Sequence, residues 1–337
     1  MDFKDKLELA YLKIKTAKRV LLIGHISPDA DALASLGAML EITRLLRVST
    51  YAYAEKKPIG VFDFIPHADQ ISATPPPDLH NFDLIISLDC GSVYRTALAD
   101  EIQKIFQDFT AGRLDKRPHF IEIDHHEPQG SRADLEIRLP DKAATTEIIY
   151  HFLKVNNLGI NKCLADCILI GLMTDTGHFL HANSSREALA VAAEMLLAGA
   201  SLTRVINNTV NNKSFNSLKV WGRALERLRF NRTTGFAFSA LTAADLKQLE
   251  VTDDRGGDYE LYGEIVSFIS RLDGVRVALL LREEEGRVKG SFRTSKDTID
   301  VSHLAQKFGG GGHKKAAGFS LPGRLKMTAN GWRVEAL

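Results

Sequence analysis

Three short apolar runs each end in a cluster of histidine and aspartate. "VLLI" at 20–23 runs into "GHISPDAD", "LIISL" at 84–88 into "DCG", and "FIEI" at 120–123 into "DHH". Unbroken apolar runs of this length read as strands covered on both faces. Helical patterns lie between them: 5–18 with Leu7, Tyr11 and Ile14 on one face, then "DALASLGAMLEITRLLR" and "ALADEIQKIF". "TYAYAE" alternates as a further strand. Strands alternating with helices predict a parallel sheet with helices on both faces, and such sheets bind ligands beyond the carboxyl ends of their strands. Three distant polar clusters therefore share one sheet edge.

The chain has 337 residues, more than one core usually serves, so two domains are expected. After 140, "ATTEIIYHFLKVNN", "CLADCILIGLMTDTG" and "NSSREALAVAAEMLLAGA" read as helices, the last opening with Ser184 and Glu187 in the spacing of a capping box. We place a first domain at 1–198, a linker at 199–217 where "GASLTRVINNTVNNKSFNS" turns Asn-rich, and a second domain at 218–337. The second reads as smaller and mixed α/β. It has a helix "LKVWGRALERLRF", strands "GFAFSAL", "VRVALLLRE" and "RVKGSFRTS" with an "EEEG" hairpin turn, and a helix "DVSHLAQKF" before "GGGGHKKAAGF". "TDDRGGDYELYGE" at 252–264 reads as a polar loop whose Tyr259 and Tyr262 either pack or stack on a base. Trp221 and Trp332 read as packing residues.

The net charge of +1 argues against a broad grip on long duplex DNA, which needs a basic face, and leaves a short single-stranded ligand open. Cys90, Cys163 and Cys167 are too few for a disulfide framework, so a reducing cytoplasm is the expectation, with Cys163 and Cys167 as buried helix residues. No apolar run approaches the ~18 residues of a membrane span, and the charged N-terminus does not read as a signal peptide.

His25, Asp29, Asp31, Asp89, Asp124, His125 and His126 fall at the strand ends, and Asp175 follows in "MTDTGHF". Taken singly, an aspartate at a strand end is a helix cap, "PDAD" a turn, and "HH" surface. Recurrence at three successive strand ends points to one site. Crowded carboxylates raise each other's pKa, and divalent cations relieve that. Mixed His/Asp ligation suits Mn²⁺, then Zn²⁺, Co²⁺ or Fe²⁺, with Mg²⁺ less apt. Two such metals clamp the attacking and leaving oxygens of phosphoryl transfer and acidify water.

In order, "GHISPDADALAS", "SLDCG", "IDHHEP" and "MTDTGHF" resemble the four motifs of the DHH phosphoesterase superfamily, and "SFRTS" and "GGGGHKKAAGF" resemble those of its associated C-terminal domain. Length and layout are most similar to the compact branch of nanoRNase/pAp phosphatases and linear-dinucleotide phosphodiesterases, with RecJ-like exonucleases sharing both domains. The resemblance implies two Mn²⁺ ions: His25 and Asp29 on one, Asp31, His125 and Asp175 on the other, and Asp89 bridging. His126 would face the substrate phosphate or protonate the leaving oxygen, with Asp124 orienting it. Ala30 and Ala34 stand where glycine is common, and Leu180 where many relatives carry arginine.

In the second domain Gly310, Gly311 and Gly312 can bring backbone N–H groups close to a phosphate, with His313 and Arg293 adding charged hydrogen bonds. Lys314 and Lys315 read equally as phosphate contacts or solvated surface. The expected enzyme hydrolyses short RNA, a linear dinucleotide such as pApA, or pAp, its terminal phosphate in the Gly-rich domain and its scissile phosphate over the metals. A homodimer is expected from the relatives. The rivals are an inorganic pyrophosphatase or short-chain polyphosphatase, a RecJ-like DNA exonuclease, and a non-catalytic nucleotide-binding module.

Overall fold

The computed structural model describes residues 1–56, 62–127, 130, 132–211, 214–249, 258–328 and 331–335, with the side chains of 258–260 left aside. Met1–Asn212 and Lys213–Leu337 form two compact units.

The first unit runs α1 (Phe3–Thr16), β1 (Arg19–Ile23), α2 (Ala30–Leu45), β2 (Ser49–Tyr53), β3 (Ile71–Ser72), β4 (Leu84–Leu88), α3 (Ala99–Thr110), β5 (His119–Asp124), β6 (Leu135–Arg138), α4 (Thr145–Val155), α5 (Lys162–Asp175), α6 (Arg186–Leu197) and α7 (Leu202–Thr209). The strands pair in the order β3-β2-β1-β4-β5-β6, all parallel. The absence of alternation in β1 has its cause here. Val20 and Leu22 pack into a core with α2, α4 and α5, while Leu21 and Ile23 join Ile85, Phe120 and Ile102 on the opposite face.

From β1 the chain goes outward to β2 and β3, then returns to β4 on the other side of β1. Strand order reverses between β1 and β4. A crevice opens at such a point because the loops leaving the two strands diverge. His25 and Asp89 leave the strands that flank it.

Helix α2 is buried from Ala30 to Thr43, polar residues included. Its small side chains let α5 and α4 pack close. At α6 the expected capping box does not form. Ser185 is the cap, its Oγ accepting the Ala188 N–H at 2.9 Å, and Glu187 instead meets Lys142 at 2.5 Å and His151 at 3.0 Å. Part of the expected linker is α7, tied to the first unit by buried Val205 and by Arg204 Nη2 donating to Phe64 O at 2.6 Å.

The second unit comprises α8 (Phe215–Glu226), β7 (Arg229–Asn231), β8 (Phe236–Leu241), α9 (Ala243–Gln248), α10 (Asp258–Ser270), β9 (Val277–Glu284), β10 (Arg287–Arg293), α11 (Ser302–Gln306), β11 (Gly311–Gly312), β12 (Ala316–Pro322), β13 (Arg324–Thr328) and β14 (Gly331–Glu335). Its sheet runs β11-β12-β10-β9-β8-β7, antiparallel except for β8 with β9, and β13 pairs with β14 apart from it. The β9–β10 hairpin turns at Glu285 and Gly286, both at positive φ, as a tight two-residue turn demands.

The stretch expected as a loop at 252–264 is helical from 258. Residues 252–257 and the Tyr259 side chain lie outside the described residues. Tyr262 is buried in the second core under the Arg282 guanidinium, 4.3 Å from its ring centre, so it offers no face to a base. Cys167 and Cys90 are buried, while Cys163, expected buried, is only partly so. Among the described residues no single helix is long and apolar enough to cross a membrane.

Candidate metal centre

The site grows from three strand ends. After β1, Ile26 N–H donates to Arg95 O at 2.8 Å, pinning His25 against the 93–96 turn. Ser27 takes a positive φ before Pro28, and Asp29 then caps α2, its Oδ1 accepting the Ala32 N–H at 3.0 Å. The cap reading and the site reading of "PDAD" are thus both true of Asp29. After β4, Asp89 sits at φ 61°, a left-handed backbone that is rare for a residue with a Cβ. Its N–H is held by Ile123 O at 3.0 Å and its Oδ1 by Thr145 Oγ1 at 2.9 Å. After β5 come His125 and His126, their ring centres 4.6 Å apart.

Asp89 belongs to two donor groups at once. One is His25, Asp29 and Asp89; the other is Asp89, His125 and His126; within each group the donor atoms lie within 4.8 Å of one another. His25 Nε2 is 3.7 Å from Asp29 Oδ2, and His125 Nε2 is 3.4 Å from Asp89 Oδ1 and 3.7 Å from Asp175 Oδ2. Asp175 ends α5, where Asn183 Nδ2 donates to its carbonyl at 3.2 Å.

Asp31 is in neither group. Its Oδ2 accepts the Thr145 N–H at 2.7 Å, and its Oδ1 accepts the Thr146 N–H at 3.2 Å and the Thr146 hydroxyl at 2.8 Å. Three of a carboxylate's four lone-pair positions are then filled, leaving one. Asp31 caps α4, whose own N-cap is Ala144, with no side chain to offer. Gly171 on α5 makes the room: a Cβ there would run into Asp31 Oδ1 and Thr146 Oγ1.

Asp124 is fully buried and orients rather than faces the site. Its Oδ1 meets the His126 N–H and His126 Nδ1, each at 2.8 Å, and its Oδ2 accepts the Gly91 N–H. Burial opposes its charge, yet His126 and Arg138 hold it down at about 2. That carboxylate keeps the proton on Nδ1 and turns Nε2 toward whatever lies beyond the ring. Arg138 is buried and binds Glu122 at 2.6 Å, Glu136 at 2.7 Å and the His126 carbonyl at 3.0 Å. Sequence reasoning passed over Arg138, Thr145, Thr146 and Gly171. The one signal was a helix opening on "ATT" without a cap of its own.

The donor set fits divalent cations. His25 Nδ1 lies 2.8 Å from Ile26 O and His125 Nδ1 3.3 Å from Lys142 O, so each carbonyl fixes a proton on Nδ1 and points Nε2 at carboxylates. Electrostatics agree. Burial and then Asp89 push Asp31 up to about 7, and burial pushes Asp175 well above its ordinary value, with Asp31 and Asp89 adding to the effect. His25 rises to about 8 and His125 to about 11, because their carboxylate neighbours outweigh burial. The cluster recruits positive charge wherever it can, and a bound cation would supply it directly.

The expected phosphate contacts of the second unit are described within that unit alone. Arg293 ends β10 opposite Ala316, and its Nη1 donates to Phe292 O at 2.9 Å. Burial alone pulls it below its ordinary value, and among the described residues it has no carboxylate partner. The glycine run is less open than expected. Gly309 and Gly310 N–H donate back to α11, and His313 and Ala316 exchange both backbone bonds. By ladder alternation the Gly312–Ala317 pair is then unbonded, so the Gly312 N–H on this edge strand points outward. Gly310 is packed against Gly318 O, while Gly311 faces open space. Lys315 pairs with Asp297 at 2.7 Å.

Comparison with known proteins agrees with this layout. The DHH family, N-terminal domain, matches residues 19–172, and the DHHA1 domain matches residues 246–330. The chain is 27% identical over 321 residues to the bifunctional oligoribonuclease and PAP phosphatase NrnA of Thermus thermophilus, covering 95% of this chain and 89% of that one. It is 28% identical over 190 residues to a probable manganese-dependent inorganic pyrophosphatase of Streptococcus thermophilus, covering 55% of this chain and 57% of that one. An exopolyphosphatase-related protein from Bacteroides fragilis has the same fold, with a TM-score of 0.80 at 22% identity, covering 94% of this chain and 91% of that one.

Proposed function

The chain belongs to the DHH family and carries the DHHA1 domain after it, and from that premise we propose that it is a Mn²⁺-dependent phosphoesterase acting on short oligoribonucleotides or linear dinucleotides such as pApA, with conversion of pAp to AMP as a second reaction. The observation that carries this reading is Asp89, shared between two groups of metal-type donors. Two cations so bridged would neutralise a phosphate and acidify water beside it. His25 and Asp29 hold the first cation. His125 and Asp175 hold the second, with the last lone pair of Asp31.

The chain's own residues do the rest. Asp124 and Arg138 fix the loop that carries His126, so its Nε2 addresses the phosphate or gives a proton to the leaving oxygen. Thr145 orients Asp89. In the second unit Arg293 and the outward Gly312 N–H, with His313, bind a terminal phosphate. The substrate class rests on the Thermus relative, whose likeness spans both domains. The pyrophosphatase likeness covers only 55% of this chain, which makes it the weaker reading.

The test is a Mn²⁺-supplemented time course. Its panel is 5′-labelled RNAs of a few nucleotides, a long RNA, pApA, pAp and pyrophosphate, with Asp89→Ala as control. Short RNA and pApA should go to mononucleotides and the long RNA should persist. Phosphate release from pyrophosphate alone would sink the reading.

A further inference from the structure

A second cluster lies away from the Asp89 site, where α2, the 65–70 turn and the start of α5 meet. Glu41 of α2 is buried, and its carboxylate is saturated. Arg44 donates at 2.7 and 2.8 Å, Asn161 at 2.6 Å, and His67 Nε2 stands 2.9 Å from Oε2. So fixed, Glu41 orients His67, which also meets Gln70 at 2.7 Å and adopts a left-handed backbone at φ 63°. The donor atoms of Glu41, His67 and Cys163 all lie within 4.8 Å of one another. Cys163 is partly exposed and is the second residue of α5, a fourteen-residue helix capped by Asn161. A thiolate there gains from the helix N-terminus.

We propose that Cys163 is a reactive thiolate, paired with His67 and anchored through Glu41, that is modified by hydroperoxides to a sulfenic acid. The order nucleophile, imidazole and orienting carboxylate is the arrangement that activates thiols. The charged and titratable groups facing the sulfur are His67, Glu41, Arg44 and Cys167. A hydrogen bond from Cys167 leads in lowering the Cys163 thiol to about 6, and His67 assists against burial. In the reaction the sulfur attacks the terminal peroxide oxygen. The S–O bond forms, the O–O bond breaks, and OH passes to sulfur. The departing alkoxide or hydroxide takes the proton of the His67 imidazolium. Sulfur is oxidised by two electrons and the peroxide reduced by two.

The test uses the full chain and reads labelling, so its outcome is independent of the phosphoesterase reading. Alkylation by iodoacetamide is followed by peptide mass spectrometry across pH. At about pH 5.5 Cys163 should react about tenfold faster than a free cysteine peptide, the excess of thiolate outweighing its lower nucleophilicity. Stoichiometric hydrogen peroxide should then yield a dimedone adduct at Cys163 that Cys163→Ser abolishes and Cys167→Ser retains. His67→Gln should return the alkylation profile to that of the free peptide. Should that variant not fold, the profile of the unaltered chain decides alone. A Cys163 that alkylates like the free peptide would overturn the proposal. So would a co-purifying zinc ion that blocks alkylation until chelated, which would make the cluster a metal site instead.

Discussion

Asp31 Oδ2 accepts the Thr145 backbone N–H at 2.7 Å, so an aspartate from the first turn of α2 caps α4. The bond locks the loop before α4 to the strand-end cluster and leaves Asp31 with little capacity for anything else. It exists because α5 presents Gly171 at that point. Gly171→Ala gains about 1 kcal/mol of helix propensity but drives a Cβ into Asp31 and Thr146, a clash worth about 1–3 kcal/mol. Urea unfolding should show net destabilisation, with weaker Mn²⁺ binding by calorimetry. A variant more stable than the parent, with unchanged Mn²⁺ affinity, would show that Asp31 is not held this way.

The cation-free protein should lose stability as pH rises. Asp31, His25 and His125 all have folded-state values raised above the ordinary ones, so each binds protons more tightly when folded. Such stability is full below the unfolded value and is lost as pH climbs to the folded one. For His25 the window is from 6.5 to about 8 and the effect about 2 kcal/mol at most. The depressed carboxylate of Asp124, at about 2, titrates far below this window and does not mask it. In EDTA the melting temperature should fall between pH 6 and pH 8.5, approximately, and Mn²⁺ should flatten the curve. A flat curve in EDTA would mean that the cluster is not short of positive charge.

His126 can be separated from the cation ligands. Its ring is fixed by Asp124 through Nδ1, so its proposed work is proton transfer or phosphate contact through the other nitrogen. His126→Ala should lower kcat on a short oligoribonucleotide by about 10²–10⁴-fold and leave the Mn²⁺ stoichiometry intact. Loss of one Mn²⁺ per chain would instead make it a ligand.

Much of this site was legible because strand periodicity is coarse and robust. "VLLI", "LIISL" and "FIEI" can only be covered strands, and whatever follows them must sit on one edge. What was not legible depends on single-residue register or long-range partners. Ser184 and Ser185 are both good caps, and only the helix phase chooses Ser185. The role of Thr145 and Thr146 rests on Asp31, more than a hundred positions away. "DYELYGE" reads as polar loop, yet Leu261 and Tyr262 bury in a core that only the folded sheet supplies. The glycine run read as uniformly open, whereas backbone pairing assigns each glycine a different duty.

That last difference is testable residue by residue. A Cβ on Gly310 would strike the Gly318 carbonyl and Phe319, backbone that cannot yield without breaking β12 from its neighbours. A Cβ on Gly311 meets nothing within 4 Å. Gly310→Ala should therefore destabilise the protein by about 1–3 kcal/mol in urea unfolding, and Gly311→Ala by a few tenths at most. If the run also receives phosphate, Gly311→Ala should raise KM for a 5′-phosphorylated dinucleotide without lowering stability, because the methyl group stands where the ligand would approach. Arg293→Ala should raise KM more, since it removes a half-buried cation with no carboxylate partner among the described residues. Equal loss of stability at Gly310 and Gly311 would show that the run is scaffold throughout. An unchanged KM in both Gly311→Ala and Arg293→Ala would remove the second unit from phosphate binding.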